Sequence, residues 1–208
     1  MIINDITLCL AASAAYTDKP TFVVGGDVYV VITVIDGITI VAFRGTEPSN
    51  IKDWIRDFDA IPTENHYLGL CHRGFLTGAV AAVPLLMPLL EGKQFIIVGH
   101  SLGGAMAILT GALLTALKMP PIQVTTFGAP NSFIADDVIR ILKPIPGKRF
   151  RNGDDPVPLV PTWPYHQDRE FTHIGTASID SISDHFIAAY YSSLEHMELI
   201  RNVHQTIH

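Results

Sequence analysis

The sequence predicts an α/β fold: a mainly parallel central sheet with an antiparallel N-terminal hairpin and helices on both faces. Three observations carry this expectation. Two β-branched runs, Val28–Ile35 and Ile38–Phe43, are joined by Asp36-Gly37, a pair that tolerates the positive φ angles of a tight hairpin turn. From residue 94 to residue 152, short apolar runs alternate with segments of helical spacing, the pattern of βαβ units and a parallel sheet. The 208 residues are 48% hydrophobic and 16% charged. That supplies one sizeable core, favours a single domain over residues 1–208 and excludes a disordered chain.

The first sixteen residues combine an apolar stretch with small residues but carry Asp5 where a secretory leader would place Lys or Arg. They read as a helix of the mature chain, with a cytoplasmic location as the default and secretion by another route as the alternative. After the hairpin, Ile51, Trp54, Ile55 and Phe58 recur at helical spacing, with Ser49 or Asn50 available as a cap, which predicts a short amphipathic helix. Residues 75–90 read as an apolar helix that Pro84 and Pro88 should kink or divide, since each proline removes a backbone donor.

Residues 94–117 contain no charged side chain, and about 20 apolar residues would span a bilayer. Gly99-His100-Ser101-Leu102-Gly103-Gly104 interrupts that run, so it divides into a buried strand at 94–98 and a buried helix from 102 to 118, with no transmembrane segment. Strands at 122–127 and 148–152, with a short helix near 135–143 between them, continue the alternation. Four prolines within 156–164 keep that stretch out of a sheet interior and predict a surface loop. A strand near 170–174 and a terminal helix over 185–200 complete the chain.

Charge and cysteine content remove whole classes of function. With 14 Lys+Arg against 20 Asp+Glu the net charge is −6, and no basic block is present, so nucleic acid is excluded as a partner. The two cysteines, Cys9 and Cys71, are too few for a disulfide framework and lack metal-ligand spacing.

The chemistry-bearing motif is Gly99-His100-Ser101-Leu102-Gly103, a G-x-S-x-G set where a buried strand meets a helix. A nucleophilic serine must stand on a sharp strand-to-helix turn, and the flanking glycines allow that turn without a Cβ clash. The turn also aims a helix N-terminus at the reacting carbonyl, which makes the Leu102 N–H a candidate oxyanion donor. Serine alone is a poor nucleophile and needs a base and an orienting carboxylate, which follow it in the order acid, then histidine. That order sets aside His66, His72 and His100 and leaves six later histidines, among which His185 opens a helix after Asp184. For the acid, Asp154 and Asp155 follow the strand ending at Asn152, at the end where ligands gather in open α/β sheets.

Several segments then match a known family in order. The chain resembles the class 3 lipases, the fungal-lipase-like family of the α/β-hydrolase fold. The matching segments are Val41-Ala-Phe-Arg-Gly-Thr46, Asp53-Trp-Ile-Arg-Asp57, Cys71-His-Arg-Gly-Phe75, Gly99-His-Ser-Leu-Gly-Gly104 and Thr126-Phe-Gly-Ala-Pro130. Asp155-Pro-Val-Pro-Leu-Val-Pro161 resembles the family's D-x-V-P-x-x-P segment and Asp184-His185 with Tyr190 its D-H…Y ending, which selects Asp155 and His185.

The resemblance implies a serine carboxylic-ester hydrolase acting on acylglycerols, with Ser101, His185 and Asp155 as the triad. It implies Thr46 and Leu102 as oxyanion donors, no metal and no cofactor. Ile51, Trp54, Ile55 and Phe58 would form a lid that makes transient contact with a lipid interface; the alternative for this face is permanent core. His66, Tyr67 and Trp163 are candidates for the substrate pocket. Phospholipase A1, feruloyl or aryl esterase, and a catalytically silent lipase-like binding protein are the rival readings. Against the better-known fungal members, the chain is shorter and has fewer cysteines.

Overall fold

The computed structural model describes residues 3–25, 27–45 and 60–206. In chain order these form α1 (Asp5–Thr17), β1 (Phe22–Val24), β2 (Val28–Ile35), β3 (Ile38–Phe43), β4 (Pro62–Asn65), β5 (Gly69–His72), α2 (Arg73–Leu90), β6 (Phe95–His100), α3 (Leu102–Ala116), β7 (Gln123–Phe127), α4 (Asp137–Leu142), β8 (Arg149–Asn152), β9 (Phe171–Ile174) and α5 (Ile187–Thr206). Short 3-10 turns at Val157–Leu159 and Ser183–His185 lie on either side of β9. The helix expected around Ile51, Trp54, Ile55 and Phe58 lies outside the described residues.

The β2–β3 hairpin forms with Ile35 opposite Ile38. Its turn residues Asp36 and Gly37 take φ values of 50° and 79°, the left-handed pair that a two-residue turn demands. The main sheet runs β1-β2-β3-β6-β7-β8-β9. It is antiparallel through β1, β2 and β3 and parallel from β3 to β9. A separate two-stranded hairpin, β4–β5, was not expected from the sequence.

From β3 onward each strand of the sheet is added beside the one before it. With right-handed crossovers, a strand order that advances in one direction puts every crossover helix on the same face. The packing agrees: Leu76 and Ala79 of α2, Met106 of α3 and Val138 of α4 share one core with Val41 and Ile97. The opposite face is covered by the two terminal helices, whose Leu8, Ala12, Tyr190 and Leu194 pack with Ile40, Ile96 and Val98. Strands β3 and β6 are buried at every position, and their successive residues alternate between the two cores, as a strand covered on both sides must.

Helix α3 is buried at most of its positions and rich in glycine and alanine, so the uncharged run at 94–117 is a core strand and a core helix, as expected. Among the described residues one helix, α2, is long and apolar enough to cross a membrane by length and composition, and its inner face is packed into the core. Its N-terminus is capped by His72, whose Nδ1 accepts from the Phe75 N–H at 3.4 Å. Pro84 and Pro88 do not divide it: the helix is continuous over both. Both prolines and Val80 lie on its exposed side, so the carbonyls that lose their partners face water and the cost is reduced.

That arrangement makes Pro84 a correctable weakness. Pro84→Ala restores an N–H to the Val80 carbonyl, and urea unfolding should show a gain of about 1–2 kcal/mol, less than the full proline penalty of about 3 kcal/mol because the proline also restricts the unfolded chain. A less stable variant would mean that the proline is required by the helix geometry.

Candidate active site

Ser101 stands between β6 and α3 with φ 56° and ψ −135°, a conformation that costs a non-glycine residue about 1–3 kcal/mol and persists only when its surroundings impose it. The surroundings here are two glycines. A Cβ on Gly99 would run into the backbone of Gly103, and one on Gly103 into the carbonyl of Phe43 at the end of β3. Gly45, the last described residue before Thr46, comes as close: a Cβ there would sit 2.6 Å from the His100 carbonyl and 2.9 Å from Ser101 Cβ. The exit of β3 therefore passes against the serine. Leu102 is the first residue of α3, where backbone N–H groups have no intrahelical acceptor.

The Ser101 hydroxyl lies 2.9 Å from His185 Nε2, and His185 Nδ1 lies 2.8 Å from Asp155 Oδ2. A carboxylate only accepts, so Nδ1 carries the proton and Nε2 presents its lone pair to the Ser101 O–H. All three side chains are buried. The carboxylate receives two further donors: the Val157 N–H reaches Asp155 Oδ1 at 2.9 Å, and the Tyr190 hydroxyl donates to Oδ2 at 2.5 Å. Burial, then the charge and hydrogen bond of Asp155, push the Tyr190 phenol well above its ordinary value, so it stays a donor. Asp154, the other acid left open by spacing, is exposed.

Four elements present these groups. Ser101 is supplied by β6, Asp155 by the turn after β8, His185 by the 3-10 turn after β9, and Tyr190 by α5. Asp184 ties two of them together. Its carboxylate accepts from the N–H of Asp154 at 2.9 Å and of Ser178 at 3.1 Å, while the Asn152 amide donates to the Asp184 carbonyl at 3.0 Å. Burial acts to raise the Asp184 carboxyl, but the donors from Asp154 and Ser178 outweigh it and hold the group below its ordinary value. Arg149 braces the other side, donating to the carbonyls of Ala129 at 3.1 Å and Pro158 at 2.7 Å with Phe171 4.1 Å from its guanidinium carbon. Burial pushes this guanidinium down to about 9, partly countered by Asp168.

Of the residues expected at the site, the structure joins Ser101, Asp155 and His185 and sets Leu102 at the head of α3. Thr46, Ile51, Trp54, Ile55 and Phe58 lie outside the described residues. Tyr67 and Trp163 are exposed, and the His66 ring contacts Tyr67 at a centroid distance of 5.1 Å. Cys9 and Cys71 are free and buried; they belong to the cores on opposite faces of the sheet, and burial pushes both thiols up to about 12. No group of His, Cys, Asp and Glu suited to a metal ion occurs among the described residues. Sequence reasoning named Asp184 only as part of the D-H…Y ending, with no role of its own, and passed over Arg149; the roles of both rest on contacts between distant segments. It set His100 aside as a base and assigned it no other role, although a polar residue ending an apolar strand beside the serine was a signal.

Residues 40–165, more than half of the chain, match the family model described as Lipase (class 3). The chain belongs to the class 3 lipase family. It is 32% identical over 139 residues to secreted mono- and diacylglycerol lipase 1 of Fusarium solani, an alignment covering 59% of this chain and 39% of that protein. It is 29% identical over 141 residues to triacylglycerol lipase OBL1 of Arabidopsis thaliana, covering 45% and 27%. The chain thus spans less than half the length of the curated relatives it matches. The crystal structure of a lipase from Rhizopus microsporus var. chinensis superposes with a TM-score of 0.69 at 21% identity, covering 87% of this chain and 84% of that one, which shows the α/β-hydrolase fold of the class 3 lipases.

The Asp184 staple gives this member of the class 3 lipase family a predictable acid limb. A carboxyl held below its ordinary value in the folded chain contributes stability above the unfolded-state value, and that contribution is lost as pH falls through the folded one. Between pH 5 and pH 3 the stability of Asp184→Asn should therefore fall less steeply than that of the wild type, with the variant already weaker at pH 7. Urea unfolding at several pH values measures both, and equal slopes would show that the carboxylate is not what holds the two turns.

Proposed function

We propose that this chain is a serine carboxylic-ester hydrolase that cleaves acylglycerols. The observation that carries the reading is the continuous hydrogen-bonded line from Ser101 Oγ through His185 to Asp155, 2.9 Å and 2.8 Å long, at the N-terminus of a helix. Membership of the class 3 lipases supports it, as do relatives whose names specify mono- and diacylglycerol or triacylglycerol lipase.

Ser101 Oγ attacks the ester carbonyl while its proton passes to His185 Nε2, and the carbonyl oxygen becomes an oxyanion. Asp155 keeps the imidazole in the tautomer that can accept and stabilises the imidazolium that results. The Leu102 N–H and Thr46 are the proposed oxyanion donors, and each such donor is worth about 100- to 1000-fold in rate. Collapse breaks the bond to the leaving alkoxide, which takes the proton from His185 and departs as alcohol. Water, deprotonated by the same imidazole, then attacks the acyl-enzyme and releases the acid and free Ser101. Ile51, Trp54, Ile55 and Phe58 are proposed as the apolar face of a lid that meets a lipid surface, with 1–208 acting as one domain.

Ser101→Ala should lose about six decades of kcat because triad members act as a unit; a variant retaining half the wild-type rate would end the assignment. Hydrolysis of p-nitrophenyl esters of increasing acyl length, beside an emulsified triglyceride, identifies the substrate class. The reading expects turnover of the emulsion, with a jump in rate past the substrate's solubility limit. Turnover confined to soluble aromatic esters would replace it with an aryl esterase, release of the sn-1 acyl chain of phospholipids alone with a phospholipase A1, and no turnover with a silent binding protein.

A further inference from the structure

A second line of hydrogen bonds runs behind His185 and begins on the first helix of the chain. The Tyr16 hydroxyl, in the last turn of α1, lies 2.7 Å from His100 Nδ1, and His100 Nε2 lies 2.6 Å from the main-chain oxygen of His185. His100 is the last residue of β6, next to Ser101, and is 4% exposed. Its ring centroid is 4.7 Å from that of His185.

Hydrogen-bond chemistry fixes the role of each atom. A carbonyl oxygen only accepts, so His100 Nε2 carries a proton; the neutral ring then has its lone pair at Nδ1, and the Tyr16 O–H donates into it. The opposite tautomer would set two lone pairs against each other at 2.6 Å. Burial first, then the neighbouring His185, hold His100 well below the ordinary histidine value, although the bond to the His185 carbonyl acts the other way. Among the described residues, the titratable groups that face the ring are Tyr16 from α1, His185 from its turn and Tyr190 from α5, the last at a centroid distance of 5.9 Å. A neutral neighbour suits a base that becomes an imidazolium, since a second cation at 4.7 Å would oppose its protonation.

On the His185 main chain the bond from His100 adds to the contacts that Asp184 makes one residue earlier. That main chain joins residues 175–180, all exposed, to the start of α5, where the N–H groups of Ala189 and Tyr190 bond to the Phe186 carbonyl. We propose that Tyr16 and His100 are positioning residues for the proposed hydrolysis: Tyr16 orients the His100 ring, and its Nε2–H holds the His185 carbonyl so that the imidazole stays in line between Ser101 and Asp155. One ring thereby registers the turn that carries the nucleophile against the turn that carries the base. The inference rests on the serine-hydrolase reading given above.

The test compares three variants with the wild type in kcat, KM and thermal unfolding on a soluble p-nitrophenyl ester, with labelling of Ser101 by a fluorophosphonate in parallel. His100→Phe keeps a ring of similar size and removes both bonds; kcat should fall about 100-fold, the cost of a displacement on the order of 1 Å, with KM changed less than about threefold. Tyr16→Phe removes one hydroxyl and should cost about tenfold, and His100→Gln, which keeps an N–H donor, should recover about tenfold of the His100→Phe loss. Labelling rates should follow the same ranking. Variants that fold and match the wild-type kcat within about twofold would overturn the positioning role and leave the hydrolase reading intact. A His100→Gln protein no faster than His100→Phe would overturn it as well. If His100→Phe fails to fold, Tyr16→Phe decides by the same criterion. A wild-type Ser101 that does not react with the phosphonate would end both readings together.

Discussion

The carboxylate of Asp155 has no exposed surface, and burying an ion without compensation costs several kcal/mol. Three donors provide the compensation here: His185 Nδ1–H, the Val157 N–H and the Tyr190 hydroxyl. The first is the interaction on which the proposed chemistry depends, because it selects the imidazole tautomer that faces Ser101. The other two satisfy the remaining lone pairs of the buried carboxylate. Gly128 takes part by what it lacks, since a Cβ there would press on Asp155 Oδ2 at 2.9 Å and on the Tyr190 hydroxyl at 3.0 Å. A site that brings an anion this deep is constrained on every side, and that constraint explains why the residues following β7 and β8, a side chain of α5 and both 3-10 turns meet around one carboxylate.

The sheet makes such a meeting achievable. Parallel strands β6 and β8 end at the same edge, with β7 between them, so the residues that follow them, Ser101 and Asp155, approach from the same side. Helix α3 leaves that edge with its unbonded N–H groups beside the serine. The terminal helices close the opposite face of the sheet, and each also reaches the site: α5 through Tyr190, α1 through Tyr16. Core packing and site assembly are in this way one event. A change that loosens α1 or α5 from the sheet acts on the hydrogen bonds of the site as well as on stability.

Much of this was legible in the residues because the relevant signals are local. Asp36-Gly37 specifies a hairpin wherever it lies between β-branched runs, and Gly99 and Gly103 mark a turn in which backbones touch. The β4–β5 hairpin was not legible, since Pro62-Thr-Glu-Asn65 and Gly69-Leu-Cys-His72 lack the β-branched alternation that announces strands. The unbroken course of α2 through Pro84 and Pro88 depends on which side of the helix faces water, which tertiary packing decides. Within the site, residue chemistry alone left Asp154 and Asp155 equal. What separates them is contact: Asp155 faces the imidazole, whereas the backbone of Asp154 is held by Asp184. The tethers made by Tyr16 and His100 join residues 84 and 85 apart in sequence, separations at which no spacing rule operates.

The central claim is geometric, and trapping the site in its reacting form tests it most directly. In a crystal structure of the phosphonylated protein, the phosphorus should be bound to Ser101 Oγ, one phosphonyl oxygen should lie about 3 Å from the Leu102 N–H nitrogen, and His185 should bridge the adduct and Asp155. An adduct on another residue, or a His185 ring turned away from both Ser101 and Asp155, would contradict the account.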